Sequence, residues 1–87
     1  MPTVWIPSLM RSLTGGADKV VVAGHTVGQV IDELEQLFPG IKARLCEGDG
    51  LRPGMAVAVD AQVARLGLAE TVAENSEIHF VPAVGGG

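Results

Sequence analysis

The sequence predicts an α+β roll in one small domain, and three observations carry that expectation. Short β-branched segments stand towards both ends of the chain, a single long amphipathic helical segment lies between them, and there are too few helices to cover both faces of a doubly wound sheet. A chain of 87 residues hides only about 60% of its unfolded surface, so these segments must be consistently patterned. Hydrophobic residues make up 47% of it, yet only Trp5, Phe38 and Phe80 are aromatic. The core is therefore expected from Val, Leu, Ile and Ala, in a composition that is globular rather than disordered.

The elements follow in order. "TVWIP" reads as a strand with Val4 and Ile6 on one face and Thr3 and Trp5 on the other. "LTGGAD" turns the chain and "KVVVAG" brings it back as a second strand, making a hairpin. Thr26 followed three residues later by Gln29 is a capping box, and Val27, Val30, Ile31, Leu34, Leu37 and Phe38 recur at helical spacing, predicting a helix over 27–37. Asp32, Glu33, Glu35 and Gln36 form its solvated face, and "PG" at 39 and 40 stops it. "IKARLC" places Ile41 and Leu45 one helical turn apart, and "EGDGLRPG" is read as a long, mobile loop. "MAVAVD" is the third strand, "QVARL" a candidate short edge strand, and "EIHFVPA" a last strand alternating Ile78 and Phe80 with His79 and Val81. Pairing should end near Pro82, which has no N–H to donate.

The order β-β-α-β-β, with one main helix packed on a mixed sheet, is the β-grasp arrangement. Its first and last strands are central neighbours. If Val4, Ile6, Ile78 and Phe80 face the helix, then Trp5, His79 and Val81 face away from it and are expected to form one partner-docking patch. The alternative is that the "EGDGLRPG" loop or a chain end folds over Trp5 and makes it a minor core.

Charge and motif content narrow the function classes. Six Lys plus Arg against ten Asp plus Glu give a net charge of −4, the wrong sign for nucleic acid and suited to docking on a basic protein surface. One cysteine cannot form an internal disulfide, the opening "MPTVWIP" lacks the features of a signal peptide, and no apolar run approaches a membrane span, so the expected setting is cytoplasmic with no membrane partner. His25 and His79 stand far apart without ligand-spaced neighbours, so no metal site is expected, and His25 in "AGHT" reads as a surface residue. Cys46 has no base or cationic cluster apparent nearby and reads as a partly buried structural thiol. "TGGAD" and "GDGLRPG" lack the spacing and lysine of a phosphate loop. With no acid and base pair in evidence, the chain is expected to be a carrier or co-substrate and not an enzyme.

The ending "FVPAVGGG" is what folding does not account for, since glycine loses the most backbone freedom on ordering and buries no side chain. Residues 1–84 are expected to form the domain and residues 85–87 a flexible glycine tail. With "IPS" early, "TVGQVIDELEQLFPGI" in the middle and "ENSEIHFVPAVGGG" at the end, essentially the whole chain resembles the ubiquitin-like sulfur-carrier proteins, which include the thiamine-pathway carrier and the molybdopterin synthase small subunit. "IPSLMRSLTGG", "FPGIKARL" and "PAVGGG" look most like carriers that pair with a cysteine-synthase-type enzyme. Asn75-Ser76 replaces the family's usual Asp-Gly turn, and three glycines replace its usual two.

The resemblance implies that an E1-like adenylating enzyme activates Gly87 with ATP and that sulfide or a persulfide converts it to a thiocarboxylate. A synthase then accepts the sulfur in cysteine or cofactor (molybdopterin, thiamine) biosynthesis. No cofactor is bound, and ATP is used by the partner. Gly86, Gly85 and Val84 would thread the partner's channel, reaching about 13 Å with Gly87 when extended. The same glycines also serve a second function class, a ubiquitin-like modifier joined to lysines, and a third class is an inert interaction module.

Overall fold

A computed structural model of the chain describes residues 1–82. Side-chain alternation builds its core. Val4, Ile6, Ile78 and Phe80 are buried, while Trp5, His79 and Val81, the residues between them, are exposed or half-buried. In chain order the elements are β1 (Thr3–Trp5), a 3₁₀ helix over Ser8–Thr14, β2 (Lys19–Val21), α1 (Val27–Leu37), α2 (Ile41–Leu45), β3 (Cys46–Glu47), β4 (Gly50–Leu51), β5 (Met55–Val59), β6 (Gln62–Val63), a 3₁₀ turn over Gly67–Ala69, and β7 (Glu77–Pro82). Five strands form one sheet in the order β2-β1-β7-β5-β6, with β1 parallel to β7 and the other pairs antiparallel. This is the β-grasp architecture expected from the element order. Val27, Val30, Ile31 and Leu34 of α1 are buried in the same cluster as the inward residues of the sheet.

Local chemistry fixes α1 at both ends. The Thr26 hydroxyl accepts from the Gln29 N–H at 3.2 Å, while Gln29 Oε1 accepts from the His25 N–H at 2.8 Å and not from Thr26, so the reciprocal bond of the capping box falls one residue early. The chain enters α1 through Gly24, where a Cβ would lie 2.7 Å from Val30 Cγ2 and 2.9 Å from the Val30 nitrogen, so only glycine fits this approach. At the other end the Glu35 carboxylate accepts from the Lys42 and Gly40 N–H groups, which hold its carboxyl below the ordinary value. This clamp stabilises the sharp corner between α1 and α2, where Gly40 takes a φ of 101°.

Two connections differ from expectation. The chain turns within "LTGGAD", at Gly15 and Gly16, and β1 and β2 form the expected hairpin, but a 3₁₀ helix precedes the turn, because Met10 packs into the core and the buried Thr14 hydroxyl bonds the Arg11 and Ala17 carbonyls. The expected long loop "EGDGLRPG" is largely structured. Cys46 pairs with Leu51 and Glu47 with Gly50 in a small β3–β4 hairpin, tied down by Arg52 N–H donating to the Leu45 carbonyl at 3.0 Å. Leu51 packs against the core, which gives the segment a reason to order.

The start of β7 is held by the turn between β5 and β6. Asp60 and Ala61 occupy left-handed backbone, with φ of 52° and 70°. The Asp60 carboxylate accepts from the Glu77 N–H at 2.8 Å and from the Ser76 hydroxyl at 2.9 Å, and the Asp60 N–H donates to the Glu77 carbonyl at 2.9 Å. Ser76 is buried and its oxygen also accepts from the Ala73 N–H, so the serine found in place of a turn glycine has a structural job. Among the described residues no helix is long and apolar enough to cross a membrane.

Candidate functional site

Two parts make up the site that the sequence singled out. The first is the terminal segment, in which Val84, Gly85, Gly86 and Gly87 lie outside the described residues, as does the expected 84/85 boundary. The described chain approaches it along β7, a central strand of the sheet, up to Pro82, the register partner of Met55.

The second part is the face of the sheet turned away from α1. Trp5 and His79 are register partners on β1 and β7, and their rings stack with centroids 5.5 Å apart and planes 7° from parallel. Trp5 Nε1 donates to Glu77 Oε1 at 2.9 Å, which satisfies the indole and fixes its rotation. Lys19, opposite Trp5 on β2, places its ammonium 5.5 Å from the ring centroid. Trp5 is thus half-buried by groups from its own neighbouring strands, and His79 is exposed. Val81 is half-buried, two residues further along the same face of β7. The face combines a rigid aromatic pair with one cation and one anion, a surface that offers both apolar area and directional contacts.

Sequence reasoning missed Lys19 and Glu77. Glu77 was legible, being two residues before His79 and so on the same face. Lys19 was not, because its pairing with Trp5 depends on the length of the 3₁₀ connection.

The remaining candidates are placed as follows. Cys46 is buried at the end of α2, and burial pushes its thiol up, opposed in smaller measure by the nearby Lys42. A thiol raised in this way is protonated at neutral pH and a poor nucleophile. Lys42 and Arg44 stand four and two residues earlier in the sequence, and of these Lys42 is the cation that acts on the thiol. His25 is exposed, and its backbone N–H and carbonyl serve the α1 cap and Val72. Among the described residues no group of three or more His, Cys, Asp or Glu side chains is gathered to hold a metal ion.

Comparison with known proteins bears on the chain as a whole. The sequence pattern of the ThiS family matches residues 4–87, a span that includes the terminal glycines. Over 92 aligned residues the chain is 37% identical to the sulfur carrier protein CysO of Mycobacterium tuberculosis and of Mycobacterium bovis, covering 98% of this chain and 97% of theirs. Among solved structures it is similar to a chain of the Amycolatopsis orientalis BexX/CysO complex, with a TM-score of 0.90, 37% identity and full coverage of both chains. It is also similar to Mycobacterium tuberculosis CysO, described as an antigen, with a TM-score of 0.88, 34% identity and coverage of 97% and 100%.

Proposed function

The chain belongs to the ThiS family, and on that premise we propose that it is a sulfur carrier protein whose last residue, Gly87, bears the sulfur as a thiocarboxylate destined for cysteine biosynthesis. The observation that carries this reading is likeness over the whole length to proteins named as sulfur carriers, reaching through the terminal glycines. A carboxylate resists nucleophiles because attack adds to a group that is already anionic. An E1-like partner therefore transfers AMP from ATP to the Gly87 carboxylate and releases pyrophosphate. Hydrosulfide then attacks the acyl carbon, the C–O bond to AMP breaks, and the thiocarboxylate remains; where a persulfide attacks instead, a thiol cleaves the resulting acyl disulfide, releasing the thiocarboxylate and forming a disulfide with the donor sulfur. ATP belongs to the partner's chemistry, and the carrier contributes an electrophile that fits a narrow channel.

The chain's own residues contribute position. Gly85 and Gly86 present no side chains to a channel wall. The face bearing Trp5, His79 and Val81 docks the adenylating enzyme or the sulfur-accepting synthase, with the aromatic pair as anchor. The Amycolatopsis relative was solved in a complex with BexX, which supports a carrier that works by docking on another protein. Isotope exchange between pyrophosphate and ATP tests the first step. With the cognate adenylating enzyme, exchange should require the carrier and should be lost when Gly87 is deleted. Exchange that continues with the deleted carrier would overturn the assignment of Gly87.

A further inference from the structure

β2 is an edge strand, and the phase of its hydrogen bonds leaves one side of its backbone unused. Ile6 N–H donates to the Asp18 carbonyl and Val22 N–H to the Pro2 carbonyl, so Asp18, Val20 and Val22 direct their backbone groups at β1. Lys19, Val21 and Ala23 therefore direct theirs outward, and among the described residues no hydrogen bond to the Val21 or Ala23 backbone is found. Natural sheets usually cover, charge or shorten such an edge, because it is a template for another strand.

Beside this edge runs a groove along α1. One concavity of about 470 Å³ is lined by Ala23, Gly24, His25, Gln29, Asp32, Glu33 and Gln36. It continues, through the shared Ala23, Glu33 and Gln36, into a smaller one of about 190 Å³ bordered by Met1, Val21 and Leu37. Leu37 is 57% exposed and gives the groove an apolar border with no internal partner to account for it, while Val21 borders it through its backbone, its side chain standing on the same face of β2 as Lys19. No Lys or Arg lines either concavity, and the ammonium of Met1, which borders the smaller one, is paired with Glu74. Asp32 is paired with Lys42 at 2.6 Å, whereas Glu33 makes no ion pair among the described residues.

We propose that this edge and groove receive an extended segment of a partner protein as an added strand, carrying an aliphatic side chain next to a lysine or arginine. The outward groups of Lys19, Val21 and Ala23 supply the ladder, Leu37 the apolar contact, and Glu33 the charge that selects a basic segment. A second copy of the chain is a poorer occupant, because pairing two β2 edges sets two acid-lined grooves side by side. The groove lies on the helix side of the sheet, so its occupant leaves the Trp5 face free.

The test uses the full isotope-labelled chain and three synthetic hexapeptides rich in Val and Ile. One carries flanking lysines, one carries glutamates in their place, and one has the lysines and a central proline. The lysine peptide should shift the amide signals of residues 19–23 and slow hydrogen exchange of the Val21 N–H at least tenfold. The glutamate and proline peptides should bind at least tenfold more weakly, and Glu33→Lys should reverse the charge preference. Val21→Pro removes only an outward N–H and should abolish binding while the domain stays folded. Failure of the lysine peptide to protect Val21, equal binding of the two charge variants, or shifts confined to Trp5 and His79 would each overturn the proposal. Protection of Val21 that depends on protein concentration without peptide would assign the edge to a second copy instead. None of these readouts involves sulfur, so the proposal stands or falls apart from the carrier chemistry.

Discussion

Trp5 shows most plainly how a large apolar side chain is placed outside the core. Its place on the outer face follows from alternation with Val4 and Ile6, and its stack on His79 follows from parallel pairing of the first and last strands. The outer face and the nearness of Trp5 to His79 were legible in the sequence once the strand order was recognised, whereas the ring stack and the indole's bond to Glu77 were not. Trp5→Ala should weaken binding to the adenylating or sulfur-accepting enzyme by about 1–3 kcal/mol and cost the free domain less. Calorimetric titration against the partner, with urea unfolding of the domain alone, checks this. Unchanged affinity together with a large loss of stability would make Trp5 a core residue. Cys46 is the contrasting case, a buried thiol whose burial pushes its pKa up and disfavours the thiolate. Cys46→Ser should fold and accept sulfur as the parent does, and intact mass after loading reads the outcome. Lack of loading in a folded variant would reveal a relay through this sulfur. The sequence reads Cys46 as partly buried, and the structure buries it where a helical turn gives way to a hairpin.

At the scale of elements, the bounds of α1 were legible because three independent signals agreed, the cap at Thr26, the apolar spacing and the Pro39-Gly40 stop, although Leu37 of the apolar set is exposed and Gln29 bonds His25 instead of Thr26. The β3–β4 hairpin was not, although Gly48-Asp49, its two-residue loop, is a hairpin signal, because strands of two residues are too short to show alternation. The turn at Asp60 and Ala61 carries two predictions. Ala61 at a φ of 70° has a side chain where glycine suits the backbone better, so Ala61→Gly should change stability by no more than about 1 kcal/mol, in the stabilising direction. Thermal unfolding of the variant reads this, and a clear loss of stability would mean that the alanine methyl packs usefully. Hydrogen bonds from the Glu77 N–H and the Ser76 hydroxyl depress the Asp60 carboxyl below its ordinary value. A depressed folded-state pKa means stability that is present above the unfolded value of 3.8 and lost as pH falls through the folded one. Asp60→Asn should therefore flatten the fall in melting temperature below about pH 4, and an unchanged acid profile would show that the clamp contributes nothing to it.

The whole molecule was legible as an arrangement. An order of two strands, a helix and further strands leads to a sheet with the first and last strands side by side, and the structure has β1 and β7 as central neighbours. What sequence alone did not disclose was the unpaired β2 edge facing an acid-lined groove, since that depends on hydrogen-bond phase and on the close approach at Gly24. The molecule presents two separate surfaces, an aromatic sheet face and an acidic helix-side groove, on a body whose net charge of −4 favours basic partners. Its central claim concerns one atom at the end of the chain, and weighing the intact protein tests it directly. The carrier is incubated with ATP, its adenylating enzyme and sulfide, beside a variant that ends at Gly86. The account predicts a mass gain equal to exchange of one oxygen for one sulfur in the parent, none in the variant, and cooperative unfolding in both. An unchanged parent mass in a reaction where the enzyme demonstrably consumes ATP, or an equal gain in the shortened chain, would contradict it.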